Sequence, residues 1–265
     1  MNVPEISVLM GVFYRRSDIS FLVRSIESIL NQTFDNFELL ICDDGSSCQA
    51  CAYLDDIASR DSRVRLIREG SLFTLPQKLN ACLKNAKGHK IARMDDDDAS
   101  HPDRFKKQVD YLNEHPEVAF VGSLVHLYQN GSIVGTRSFP EFPSVRDFFF
   151  TQPFIHPALM FQRECLFAVG GYSEKKHCIL CEDYDLLLRL YSAGYSGANL
   201  QEILFDYTIP LTAHGNRKMK HRWNEVVTRY IRFRELGELP RAFPYVIKPI
   251  IVGLIPEKIL RKLKK

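Results

Sequence analysis

The chain has 265 residues, 45% hydrophobic and 25% charged, which is enough apolar material for a full core and excludes a disordered polymer. Its 14 Gly and 13 Pro follow no period, so collagen-like, low-complexity and solenoid classes are excluded as well. The net charge of +3 hides an asymmetry, because His214 to Lys265 holds 14 Lys/Arg against 4 Asp/Glu while the rest of the chain is acidic.

In chain order, Met1 to Gly11 has Glu5 but no Lys or Arg, and the apolar run Ile6 to Met10 is too short for a signal segment. A cytoplasmic protein is therefore expected, with its seven cysteines reduced. Ile6–Val12, Phe37–Cys42, Val64–Ile67, Lys90–Met94 and Val118–Val121 read as buried strands. Helices fall between them. The clearest has Ser17 as N-cap and Ile19, Leu22, Val23, Ile26, Ile29 and Leu30 on one face. Such alternation builds an α/β fold with a mostly parallel sheet, whose ligands bind at the carboxyl ends of the strands.

Beyond Asn130 the alternation weakens into aromatic and proline-rich segments, followed by a helix over Tyr184 to Ser192. From Lys220 the chain reads as helical and basic. Ala242 to Ile255 is too interrupted by Lys248, Pro244 and Pro249 to span a membrane. Ile250 to Lys265 alternates apolar and cationic residues, the pattern of an amphipathic helix on an anionic leaflet or of a packed terminal helix.

Three acidic clusters carry the chemistry. Asp95 to Asp98 directly follow a strand, and four adjacent carboxylates call for a counter-charge; hard oxygen ligands select magnesium, manganese or calcium. The run lacks the spacing of an EF-hand, and a solvated acidic loop is the plain alternative. Asp43 and Asp44 end another strand before Gly45, on the same rim, as a nucleotide contact or an ordinary Asx turn. Glu182 and Asp183 open the helix at 184, as a general base or as helix caps. Cys48/Cys51 and Cys178/Cys181 form two C-x-x-C pairs, too far apart in sequence for a zinc ribbon.

Taken together, Ser7–Tyr14 (SVLMGVFY), Phe37–Ser46 (FELLICDDGS), Lys87–Asp98 (KGHKIARMDDDD) with His101–Phe105 (HPDRF), Val169–Tyr172 (VGGY) and Glu182–Arg189 (EDYDLLLR) resemble the inverting family-two glycosyltransferases of GT-A fold. The likeness is to bacterial enzymes that add sugars during polysaccharide or lipopolysaccharide assembly. It implies a Rossmann-like sheet flanked by helices over residues 1–213, divided into a nucleotide-sugar half (1–98) and an acceptor half (99–213), with a basic helical extension over 214–265.

The resemblance further implies that Phe13 stacks on the base and Asp44 holds a uracil imide, so the donor is a UDP-sugar. Asp95 and Asp97 match the ends of the family's D-x-D, with Asp97 as direct ligand of Mn2+ or Mg2+ and Asp95 nearer the ribose or bridging. Asp96 stands where the family has a small residue, adding charge beside the nucleotide-sugar. Asp183 matches the base that deprotonates an acceptor hydroxyl. His214, in Tyr207–His214 (YTIPLTAH), approaches the diphosphate or metal, and Arg104 pairs with the carboxylates near the metal strand. The acceptor is a glycan, expected on a lipid carrier, with the tail touching the inner face of the membrane. A sugar nucleotidyltransferase is the rival enzyme reading, but Gly11 to Ser17 has a single glycine where a phosphate loop would have several. A nucleic-acid module acting through the tail leaves the Asp clusters unused.

Overall fold

The computed structural model describes residues 3–209 and 218–255. In chain order the elements are β1 (Ile6–Val12), α1 (Ser20–Leu30), β2 (Phe37–Asp43), α2 (Cys48–Arg60), β3 (Val64–Ile67), α3 (Leu75–Asn85), β4 (Lys90–Met94), β5 (Ala99–Ser100), α4 (Arg104–Glu114), β6 (Phe120–Gln129), β7 (Ser132–Arg137), β8 (Met160–Gln162), α5 (Arg163–Ala168), α6 (Glu182–Ser192), β9 (Gly197–Thr208), α7 (Met219–Glu235) and α8 (Leu239–Leu254).

One nine-stranded sheet runs in the order β3-β2-β1-β4-β8-β6-β9-β5, with β7 paired to β6. β3, β2, β1 and β4 are parallel, and β8 turns the sheet by pairing antiparallel to both β4 and β6. The parallel strands are buried on both faces, so their apolar runs are continuous rather than alternating. Within each run the period of two still sorts side chains between faces. Ile6, Val8, Met10, Leu39 and Ile41 pack with Leu22 and Ile26 of α1, Leu54 of α2 and Phe105 of α4. Leu9, Leu40 and Cys42 face the other way, against Leu79 of α3, Leu187 of α6, Phe233 of α7 and Val246 of α8.

The helix expected from Ser17 begins at Ser20. The N-cap position is Ile19, which offers no side-chain cap, and just before it Asp18 Oδ1 accepts from Ser20 N–H at 2.9 Å in an Asx turn that leads the chain into the helix. Pro244 and Pro249 lie inside α8, which reads from the sequence as helical and too interrupted to span a membrane. Each removes one intrahelical hydrogen bond, and packing of α8 against α7, with Ala242, Val246 and Pro249 buried, holds the helix together. Of the tail pattern Ile250 to Lys265, only the part up to Ile255 lies within the described residues, and so does none of 210–217, which contains His214. Among the described residues no helix is long and apolar enough to cross a membrane.

Candidate active site

β1 lies between β2 and β4 in parallel register, with Val12 opposite Asp43 and Met10 opposite Met94. Phe13, Asp44 and Asp95 therefore leave the sheet side by side at its carboxyl edge. Phe13 is half exposed, its ring 4.7 Å from the Arg15 guanidinium and 5.1 Å from Lys78 Nζ. An open aromatic face bordered by cations suits a base with a phosphate chain attached. Gly45 beside it has φ +97°, and a Cβ there would come within 3.2 Å of the Phe13 ring; glycine supplies both the turn and the space.

The two carboxylates ending β2 have different partners. Asp43 is buried, accepting from Ser46 Oγ and from Cys51 Sγ at 3.4 Å, with Arg68 Nε 3.5 Å away, which is a structural role. Asp44 accepts from Gly70 N–H at 2.8 Å and Leu72 N–H at 3.2 Å, fixing the loop between β3 and α3. A carboxylate has about four acceptor positions, so two remain for a further donor such as an imide N–H.

Asp95 leaves β4 ion-paired to Arg93, whose guanidinium is completely buried and also donates to the carbonyls of Leu9 and Met94. Burial and the charges of Asp95 and Asp97 push Asp96 up to about 7. Burial and Asp95 likewise push Asp97 up to about 6. Asp98 is raised well above the usual carboxylate range by burial and the same neighbours; its Oδ1 accepts from Thr208 N–H at 2.7 Å, and its Oδ2 is buried with no partner. Crowded carboxylates whose ionisation is opposed by burial and by one another, with a buried oxygen left over, form a donor set that a hard divalent cation fits.

The general-base candidate arrives from the other half of the sheet. α6 begins at Glu182 with Cys181 at its N-cap position, so Asp183 stands in the first turn rather than at the cap, and Asp183 Oδ1 accepts from Tyr184 N–H at 2.7 Å. Asp183 and Asp95 line one cavity of about 300 Å³ together with Arg93, His156, Glu182 and Tyr207. Asp97 lines a neighbouring cavity of about 670 Å³ with Arg16, Arg24, Tyr128 and Thr208. Phe13 and Asp44 border neither; they sit at the β1 and β2 end of the same edge.

Sequence reasoning missed two cations here. Arg93 was legible as a cation inside the apolar strand, two residues before the acidic run. Lys78 donates to the carbonyls of Val12 and Asp44 from the inner face of α3, with burial lowering its pKa. Burial and the Asp183 charge push Glu182 up to about 7, and its Oε2 is buried without a partner at the cavity wall. His156, given no role from sequence, is neutral: burial takes its pKa well below the ordinary value, and Nε2 lies 3.0 Å from Tyr172 Oη.

The pairing expected for Arg104 does not form. Its guanidinium is fully buried, where it donates to the carbonyls of Arg93 and Leu159 and to Gln108 Oε1, and burial pulls it down to about 9. It joins α4 to β4 through carbonyls instead of carboxylates. Among the described residues the four C-x-x-C cysteines are free thiols that form no ligand cluster, whereas His101, His126 and Asp206 bring two nitrogens and a carboxylate within 4.8 Å of one another. Arg24 holds the other oxygen of Asp206 at 2.6 Å.

The profile of Glycosyl transferase family 2 matches residues 7–171, which span β1, β2, β4 and the acidic run at their ends. The chain belongs to that family. Among its relatives, the putative glycosyltransferase EpsE of Bacillus subtilis (strain 168) is 32% identical over 264 residues, covering 99% of this chain and 94% of EpsE. The O-antigen biosynthesis glycosyltransferase WbnJ of Escherichia coli is 34% identical over 77% of this chain and 79% of its own. The UDP-Gal:alpha-D-GlcNAc-diphosphoundecaprenol beta-1,3-galactosyltransferase of Escherichia coli is 26% identical over 98% of each.

Among solved structures, S. aureus TarS 1-349 in complex with UDP-GlcNAc superposes with a TM-score of 0.70 at 16% identity, covering 92% of this chain and 73% of TarS. Mannosyltransferase PcManGT from Pyrobaculum calidifontis, in complex with GDP-Man and Mn2+, gives 0.65 at 16% identity over 99% and 80%. The family-two chain thus has the GT-A glycosyltransferase fold and is a glycosyltransferase. This membership sets aside the nucleotidyltransferase and nucleic-acid readings.

Proposed function

We infer that the chain transfers a sugar, with inversion, from a UDP-sugar to a lipid-linked glycan acceptor during assembly of a surface polysaccharide. The observation that carries this reading is the shared cavity of Asp95 and Asp183, which brings the donor edge of the sheet within one small space of a carboxylate on α6. WbnJ is named for O-antigen biosynthesis and another relative for a diphosphoundecaprenol-linked acceptor, which supports the acceptor class.

In this reading residues 1–98 form the donor half and 99–213 the acceptor half. The Phe13 ring stacks on uracil and Asp44 accepts from its imide N–H, beside the amides it already holds. Asp97 and Asp95 would hold Mn2+ or Mg2+, with His214 as a further ligand and Asp96 lining the ribose and diphosphate. When bound, that cation neutralises charge on the departing diphosphate. Arg93 keeps Asp95 pointed out of the sheet edge.

The Asp183 carboxylate takes the proton of an acceptor hydroxyl while that oxygen forms a bond to the anomeric carbon. The bond from the anomeric carbon to the diphosphate breaks with its electron pair, releasing UDP. A single in-line displacement inverts the anomer. Burial and the Asp183 charge raise Glu182 to about 7, so it adds less negative charge beside Asp183 than an ordinary carboxylate would.

The deciding experiment is Asp183→Asn. The expected result is a fall in kcat of about 10³-fold with UDP affinity, read calorimetrically in Mn2+, changed less than twofold. Retention of turnover by the variant removes Asp183 as the base. Binding of GDP or ADP in preference to UDP removes the assignment at Asp44.

A further inference from the structure

α8 is apolar on both its buried and its outward face, with Arg241 and Lys248 as its only charged residues. Ala242, Val246 and Pro249 are buried against the body, yet the outward face carries Phe243, Ile247, Ile251 and Leu254, between 41% and 71% exposed and spaced four, four and three residues apart. On a helix this spacing makes one continuous stripe. α7 lies alongside and exposes a second stripe, Met219, Trp223 and Tyr230. The stripes meet at one end of the hairpin, where Gly253 leaves room for the Arg222 side chain, which a Cβ would approach to 2.4 Å, and for Met219 Cε beside it at 3.1 Å. Lys218, Lys220, Arg234 and Arg241 are exposed around them.

An exposed apolar stripe of this length, continued by a second one on the neighbouring helix, is covered in its working state. We propose that the outer face of the α7–α8 hairpin docks on an anionic lipid surface, with α8 lying in the interface rather than crossing it. Charge selects this occupant. The segment from His214 onward has a net charge of +10 by 14 Lys/Arg against 4 Asp/Glu, matching a negatively charged leaflet. A second copy docked by twofold symmetry would set like-charged rims against each other. Trp223 and Tyr230 are the residue types that favour the headgroup level. The 16-residue length of α8 and its two internal prolines keep it from spanning. The proposal stands on this surface alone and uses no assumption about donor or acceptor.

Trp223 is the only tryptophan of the chain and sits in the proposed contact, so its emission reports docking directly. The full chain is mixed with vesicles of equal parts phosphatidylglycerol and phosphatidylcholine, or of phosphatidylcholine alone, and followed by co-sedimentation and by Trp223 fluorescence. The expected result is partition onto the phosphatidylglycerol vesicles, weakened by salt, with a blue shift of Trp223 and quenching by brominated lipid. The double variant Ile247→Glu/Ile251→Glu binds at least tenfold more weakly while keeping its Tm. The proposal is overturned if the wild-type chain does not partition, or if the double variant partitions equally. It is also overturned if sedimentation velocity shows a lipid-indifferent dimer that the double variant dissolves. Should the variant fail to fold, brominated-lipid quenching of Trp223 in the wild-type chain decides alone.

Discussion

Two adjacent carboxylates at the start of α6 have divergent environments, and that divergence is measurable. Glu182 is 9% exposed, and burial followed by the Asp183 charge lifts its pKa from 4.5 to about 7. The unfolded chain therefore sheds this proton near 4.5 and the folded chain near 7. Between those values the folded state holds more protons, so stability from this group is complete below 4.5 and is lost as pH rises through 7. Glu182→Gln is accordingly expected to raise Tm by about 4 °C at pH 8 and to leave it unchanged at pH 4.5, as calorimetry at the two values will read. An equal effect at both would mean that Glu182 is ionised in the fold. Asp95, Asp97 and Asp183 were legible because their types and order match a family pattern. The raised pKa of Glu182 and the buried amine of Lys78 were not, since each depends on what tertiary packing places around a side chain whose sequence neighbours are ordinary.

At the level of elements, α6 and α7 share a buried ion pair on one carboxylate. Asp185 is fully buried, and Arg189 Nε of α6 and Arg232 Nε of α7 each lie 2.8 Å from one of its oxygens. Removing one guanidinium leaves a partly uncompensated charge in the core. Arg232→Met is expected to destabilise by about 3 kcal/mol, visible as a lower urea midpoint; a change under about 0.5 kcal/mol would show that Arg189 suffices. The parallel strands were readable from sequence because both faces are buried and their apolar runs are unbroken. β6 was read too short, ending at Val121 instead of Gln129, because its far half is only partly buried and mixes polar with apolar residues. α8, read as helical from the sequence, tolerates Pro244 and Pro249 because tertiary burial of one face offsets the lost hydrogen bonds.

For the whole molecule, the acidic run and the basic end are separate sources of field. In the proposed reaction the first holds a cation, whose binding favours the native state because the fold fixes Asp95 against Arg93 and Asp98 against Thr208 N–H. With Mn2+ at about 100 times its Kd, the folded state gains about 2.7 kcal/mol, raising Tm by several degrees. Chelator, or Asp97→Ala, is expected to abolish the gain, and a Tm indifferent to Mn2+ in the wild-type chain would remove the cation from the proposed reaction. The basic end, for its part, is not an appendage in packing. Arg229 of α7 lies over the Tyr184 ring at 4.6 Å and donates to the Phe149 carbonyl, while Phe233 and Tyr245 close on the Phe149 ring at 5.1 and 5.6 Å. Cutting the gene after residue 213 would leave Phe149, Tyr184 and the Asp185 carboxylate facing water. The shortest fragment fit for expression therefore ends beyond α8, although the charge pattern invites a much earlier stop.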